Sequence, residues 1–224
     1  MMPDSATIRD ATRELANQSR SIALAWHVLF AAAGVCMVAG WRPLRRELAA
    51  LTLLPLLTVM NLAWITGNAF TALALLACSA GLVVFAAHFG EDRATAGSPA
   101  ELTIGALLIA IGWGYPHFLD GGSWTRYLYE APLGVVPCAT LAFAAGVAIA
   151  AGGFASRGWS LVLAAATAYY GLVGVFVLGV TLDLALVAGA LTLIVQSTRG
   201  HGAKDSATRR EFSHHLPGQS VRTA

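Results

Sequence analysis

Residues able to bind, ligate or move protons are scarce in this chain, and most fall in one place. The stretch GYPHFLDGGSWTRYLYEAPLGVVPC, Gly114 to Cys138, holds Tyr115, His117, Asp120, Arg126, Glu130 and Cys138, while the sequence on either side is almost pure Ala, Leu, Val and Gly. His117 and Cys138, with His27 upstream, carry nitrogen and sulfur donors suited to a soft or borderline metal, and His117 with Cys138 are the pair to name if a metal is bound. Glu130 has the chemistry of a base or a cation ligand. Asn61, Tyr115 and Asp120 supply hydrogen bonds. The candidate binding set is therefore His27, Asn61, Tyr115, His117, Asp120, Glu130 and Cys138.

The ordinary reading of the same residues stands beside this one. DGGS is common turn chemistry, and a loop over a helical bundle needs polar side chains for its own backbone. Loops of this length are nevertheless uncommon unless functional or disordered, and the aromatic content argues against disorder. His27 alone is more often a hydrogen-bonded packing residue than a ligand. No His-Glu-x-x-His or Gly-x-Ser-x-Gly motif is present, so no catalytic residue is assigned. The cofactor is unknown. A haem held by two histidines would need a pair at one depth in facing spans: His88 falls at the cytoplasmic end and cannot pair with His27, and His117 reaches a similar level only if its helix end dips inward.

The elements that must position these groups follow from composition. The 224 residues are 57% hydrophobic and 12% charged, against about 25% charged in a soluble domain. The apolar residues come in long runs, as membrane spans require. The formal charge of +2 gives no electrostatic support for a nucleic-acid partner. Cys36, Cys78 and Cys138 form no metal-ligand or paired spacing, and no disulfide framework is expected.

The runs predict an all-α bundle of seven transmembrane helices, with six as the alternative: Ser21 to Gly40, Leu48 to Ile65, Thr71 to Phe89, Pro99 to about Phe118, Pro137 to about Gly152, Ser160 to Val177, and Thr181 to about Ser197. Ser98, Pro99 and Glu101 read as a capping box opening the fourth. Residues 1–20 form a polar segment that predicts a short interfacial helix, capped by Asp4 or Ser5, with Ile8, Ala11 and Leu15 roughly on one side. Residues 21–197 form the transmembrane domain, and 198–224 read as a disordered tail.

Lys and Arg near the span ends number ten on the side of the tail and four on the side of the N-terminus. The positive-inside rule then places the C-terminus in the cytoplasm and the N-terminus outside, in a plasma (inner) membrane. Trp41, Trp64, Trp113 and Trp159 fall near predicted span ends, as an interfacial belt would. Ala142, Gly146 and Ala150 recur at four-residue spacing, a small-residue helix contact. No Asp, Glu, Lys or Arg occupies the centre of a span, which argues against carboxylate-relay pumps, arginine voltage sensors and retinal proteins.

The Tyr115-Pro116 pair, followed after a loop by APLGVVPCATLAF (Ala131 to Phe143), resembles an uncharacterised family of small bacterial multi-pass membrane proteins, a domain of unknown function. That family has tyrosine-proline at the end of a middle span, then a glycine and a Pro-Cys-Pro-Thr-Thr-like run opening the next helix. Gly134, Pro137, Cys138 and Thr140 match that run, whereas Ala139 and Leu141 depart from it. The resemblance extends over roughly Leu15 to Val195. It implies a multi-pass fold and directs attention to the same stretch, without implying an activity.

The leading expectation is a protein that binds or transports a small solute or ion through an outward-facing pocket capped by residues 114–138. An enzyme embedded in the membrane and acting on a lipid or quinone-like substrate is the alternative. A structural subunit is the third class, partnered by a second copy or another membrane protein through Ala/Gly faces of the fifth and sixth spans. The lipid bilayer is the partner common to all three.

Overall fold

The computed structural model describes residues 5–121 and 123–198. The expected disordered tail, with His201, His214 and His215, and the Asp4 cap lie outside the described residues. Among the described residues there are helices and turns and no strand; a lone bridge pairs Leu44 with Arg93.

Among the described residues eight α-helices follow in order: α1 (Ser5–Gln18), α2 (Arg20–Val38), α3 (Arg45–Ile65), α4 (Ala69–Ala86), α5 (Pro99–Trp113), α6 (Pro137–Ala150), α7 (Arg157–Phe176) and α8 (Thr181–Thr198), the last opening in a 3-10 turn over Thr181–Asp183, with short 3-10 helices at Trp124–Leu128 and Gly152–Ala155 in the links. Five of these, α2, α3, α4, α7 and α8, are long and apolar enough to cross a membrane. The other two apolar helices are shorter, 15 residues in α5 and 14 in α6.

Helix ends follow local chemistry. Ser98 accepts from the Glu101 amide while Glu101 accepts from the Ser98 amide, and Pro99 takes the first turn, where a missing N–H is harmless. The helix stops at Trp113 rather than continuing to Phe118. Pro116 disfavours helical backbone at Tyr115 and has no N–H to extend the ladder. Asn68 and Ser156 cap α4 and α7 by accepting from Thr71 and Trp159 amides, so both helices start a few residues before the expected spans.

α6 lies at the centre. Eleven of its residues are buried, Cys138 through Gly146 without a break and then Ala148 and Ile149. The expected Ala/Gly docking face on the fifth span is therefore consumed inside the bundle. Its closest neighbour is α5, backbone against backbone. A Cβ on Gly105 would lie 2.7 Å from the Gly146 oxygen, one on Gly146 would lie 2.6 Å from the Gly105 oxygen, and one on Gly112 would meet the Phe143 nitrogen at 2.5 Å. Glycine is required at all three by space. α6 is entered through residues 131–136, a non-helical segment buried among the helices. Thr140 secures that segment: its hydroxyl accepts from the Gly134 amide at 2.9 Å and donates to the Val136 carbonyl at 2.8 Å. Trp26 of α2 closes over Gly134, at which a Cβ would fall 2.1 Å from the indole.

The connections sort to two ends. At one, Arg45 bonds Asp92 at 2.7 Å and the Gly97 amide donates to the Ala150 carbonyl, joining the α2–α3, α4–α5 and α6–α7 links. At the other, α1 meets the α5–α6 connection: the Asn17 side chain donates to the Phe118 carbonyl at 3.1 Å and accepts from the Asp120 amide at 3.2 Å. Ile8, Leu15 and Ala16 of α1 face the bundle, whereas Ala11 is exposed. The tryptophans divide. Trp41 and Trp64 are exposed, but Trp159 is fully buried against Phe154 and Phe89, so it is a core residue and not part of an interfacial belt.

The α5–α6 contact yields a direct test. Gly112→Ala is expected to lower the thermal stability of the detergent-purified protein by about 1–3 kcal/mol, the usual cost of overpacking. Gly34→Ala, where a Cβ would meet nothing within 4 Å, is expected to leave it unchanged or slightly raised.

Candidate functional site

The fully buried carboxylate of Asp183 organises one end of the bundle. Its Oδ1 accepts from the Tyr115 hydroxyl at 2.6 Å, and both residues are at 0% exposure. Tyr115 reaches inward because Pro116 has ended α5 just above it. Asp183 reaches inward because the 3-10 turn opening α8 folds back on α7: the Val180 amide donates to the Gly174 carbonyl and the Asp183 amide to the Val180 carbonyl. Gly174 makes room for the carboxylate, since a Cβ there would stand 1.7 Å from Asp183 Oδ2.

Cys138, in the first turn of α6, completes this cluster. Its thiol lies beside the carboxylate, but its hydrogen bond goes to the Tyr170 carbonyl at 3.8 Å, and Asp183 Oδ2 is left with no hydrogen-bond partner. Burial drives the Tyr115 phenol well above its ordinary range, with the neighbouring Cys138 and Asp183 adding to the shift, so Tyr115 acts as a donor.

His117 stands between this cluster and a cavity. Its ring meets that of Tyr115 edge-on at 5.4 Å. Burial pushes its pKa below 6.5, opposed by the Asp183 carboxylate. The cavity, about 390 Å³, is walled by Ala6, Arg9, Asp10 and Arg13 of α1, by His117 and Phe118, and by Leu178, Gly179 and Val180 of the α7–α8 turn. Phe118 enters that wall with φ at +73°, a left-handed conformation uncommon for a bulky residue, held by the Asn17 bonds.

The seven residues proposed from sequence separate accordingly. Tyr115, His117 and Cys138 come together, His117 on the cavity and the other two behind it. Asp120 is at the rim, exposed and 3.5 Å from Arg13. Glu130 belongs to the loop's own framework: it accepts from Arg126 Nε at 2.9 Å and Nη2 at 2.6 Å, while Arg126 Nη1 reaches the Gly121 carbonyl at 2.8 Å. Asn61 is exposed on α3 and has no place in the cavity wall. His27 is buried with Nδ1 2.8 Å from the Ala23 oxygen and Nε2 2.9 Å from the Trp113 oxygen. Both ring nitrogens are thus engaged by backbone, which makes His27 a strut between α2 and the end of α5. No group of three or more His, Cys, Asp and Glu among the described residues is arranged to hold a metal ion.

Two contributions to the site carry little signal in the sequence. Asp183 reads from sequence as one of the polar residues gathered at the outer end, at the start of the last span, and only the fold brings it to Tyr115. Arg9 and Arg13 sit in a polar leader; their four-residue spacing, which puts both on one helix face, is the single clue. No family model matches the chain, and comparison with curated proteins and with solved structures likewise yields no match.

Two predictions follow from this geometry. Tyr115→Phe removes the donor to a buried carboxylate and is expected to cost about 1–3 kcal/mol in detergent unfolding. Adding Asp183→Ala is expected to cost less than the sum of the single changes, because the two residues share one interaction. For His117, a lowered folded-state pKa means that the unfolded chain takes up the proton first. Stability should therefore be full above 6.5 and decline as the pH falls through that value, and His117→Gln should shrink the decline seen in pH-dependent melting curves.

Proposed function

We propose that this is a multi-pass membrane protein that binds or transports a small solute or ion through an outward-facing pocket capped by residues 114–138. The observation that carries the reading is the cavity between α1, His117–Phe118 and the α7–α8 turn. Its size lies in the range of small-molecule sites, about 300–1,000 Å³. Three charged side chains and an imidazole line it, beside apolar Ala6, Phe118, Leu178 and Val180. The capping segment is braced by its own Arg126–Glu130 pair and attached beneath by Tyr115, as a lid over a site would need to be.

In this reading the chain crosses the plasma membrane seven times, with α2 to α8. The five long helices meet the length requirement directly. α5, at 15 residues, rises about 22 Å of a hydrocarbon core of about 30 Å. α6 is surrounded by other helices and has little contact with lipid to satisfy. Arg42, Arg45, Arg46, Arg93 and Arg157 fall in or beside the α2–α3, α4–α5 and α6–α7 links, and together with the five Lys and Arg that follow α8 in the sequence they argue that this end is cytoplasmic, leaving the cavity outside.

Thiol labelling of a chain freed of Cys36, Cys78 and Cys138 tests orientation and access together. A cysteine at His117 is expected to react with a membrane-impermeant maleimide on intact cells, and one at Glu91 only after permeabilisation. Reaction of the Glu91 position in intact cells reverses the orientation. Failure of the His117 position on both sides removes the pocket.

A further inference from the structure

The cavity wall contributed by α1 carries two arginines and one aspartate. Arg9 and Arg13 are four residues apart and both line it, so the two residues stand one helical turn apart on the same wall. Like charges at this spacing destabilise a helix. Arg9 has no ion pair among the described residues. Arg13 meets Asp120 at 3.5 Å with both side chains more than half exposed, a pairing a tighter partner readily displaces. Guanidinium groups favour carboxylate or phosphate oxygens, which they grip through paired N–H bonds.

The remaining lining narrows the charge of the ligand. Asp10 shares the wall, which leaves one net positive charge on the α1 face of the cavity once Arg13 is released from Asp120. His117 adds no full charge near neutral pH, because burial holds its pKa down. A singly charged oxyanion matches this face, and a dianion would meet Asp10 without compensation. Apolar Leu178, Val180 and Phe118 lie alongside to receive the uncharged substituents of such a group.

We infer that the cavity is a binding site for a phosphodiester group, gripped by Arg9 and Arg13 and limited to one negative charge by Asp10. The inference rests on the outward pocket proposed above and specifies its ligand. α1 is amphipathic, with Ile8 and Leu15 toward the bundle and its arginines exposed, so the group has two sources, the headgroup of a membrane lipid or a soluble phosphodiester.

The test uses the full chain purified in mild detergent. Its binding of diethyl phosphate and of phosphatidylglycerol is followed by thermal shift and by native mass spectrometry, with phosphatidylcholine and inorganic phosphate as comparisons. Saturable binding of either phosphodiester anion, weakened at least tenfold by Arg9→Gln and by Arg13→Gln and unchanged by Arg157→Gln, is the expected result. Preference for phosphatidylglycerol identifies a lipid as the source, and preference for diethyl phosphate identifies a soluble ligand. Asp10→Asn is expected to improve binding of inorganic phosphate. Equal binding by the Arg9→Gln/Arg13→Gln double variant, or no binding of either anion, overturns the inference. Maleimide access at the His117 position reports on the pocket separately, so an accessible pocket that ignores both anions refutes the ligand and leaves the pocket standing.

Discussion

The hydrogen bond from Tyr115 to Asp183 ties the segment that follows α5 to the turn that opens α8. Tyr115 follows the end of α5, Asp183 closes the turn that opens α8, and the oxygen–oxygen distance is 2.6 Å with both groups sealed from solvent. A buried carboxylate is costly unless bonded, so the bond constrains everything above it. It seats residues 115–118 against 178–180, and the cavity is the space left between those segments and α1. Gly174 is part of the same constraint, because only a residue without a Cβ lets the carboxylate lie against α7.

The framework under this bond is set by α6. Its run of Ala and Gly lets α5 approach to backbone contact, with α3 and α7 also against it. Small residues let helix backbones approach closely, which adds van der Waals contact along the whole interface. The result is a rigid centre from which the less regular segments depart: 131–136 under Trp26, and 114–118 above Asp183. The cavity lies at the edge of this centre, where the helices have ended.

Much of the fold is legible in the sequence. The apolar runs locate the helices, and the Ser98–Glu101 box and Pro137 fix two of the starts because capping is local chemistry. The stop at Trp113 is less visible, since a hydropathy reading has no term for the steric effect of Pro116 on Tyr115. Trp159 misleads for a related reason: its position near a helix end is local, while its burial depends on Phe89 and Phe154 arriving from elsewhere. The site divides along the same line. Tyr115, His117 and Cys138 stand out by composition, but Glu130 does too, and only the structure shows that Arg126 engages it. Asp183, Arg9 and Arg13 become site residues through contacts more than fifty residues distant in sequence, which periodicity does not encode.

Hydrogen–deuterium exchange on the Tyr115→Phe protein in detergent tests the central claim most directly. If the bond to Asp183 holds the cavity walls together, exchange rises jointly in residues 114–121 and 178–183, while α5, α6 and α7 keep the protection of the wild type. A rise confined to one of the two segments, or a uniform rise across the bundle, contradicts the account.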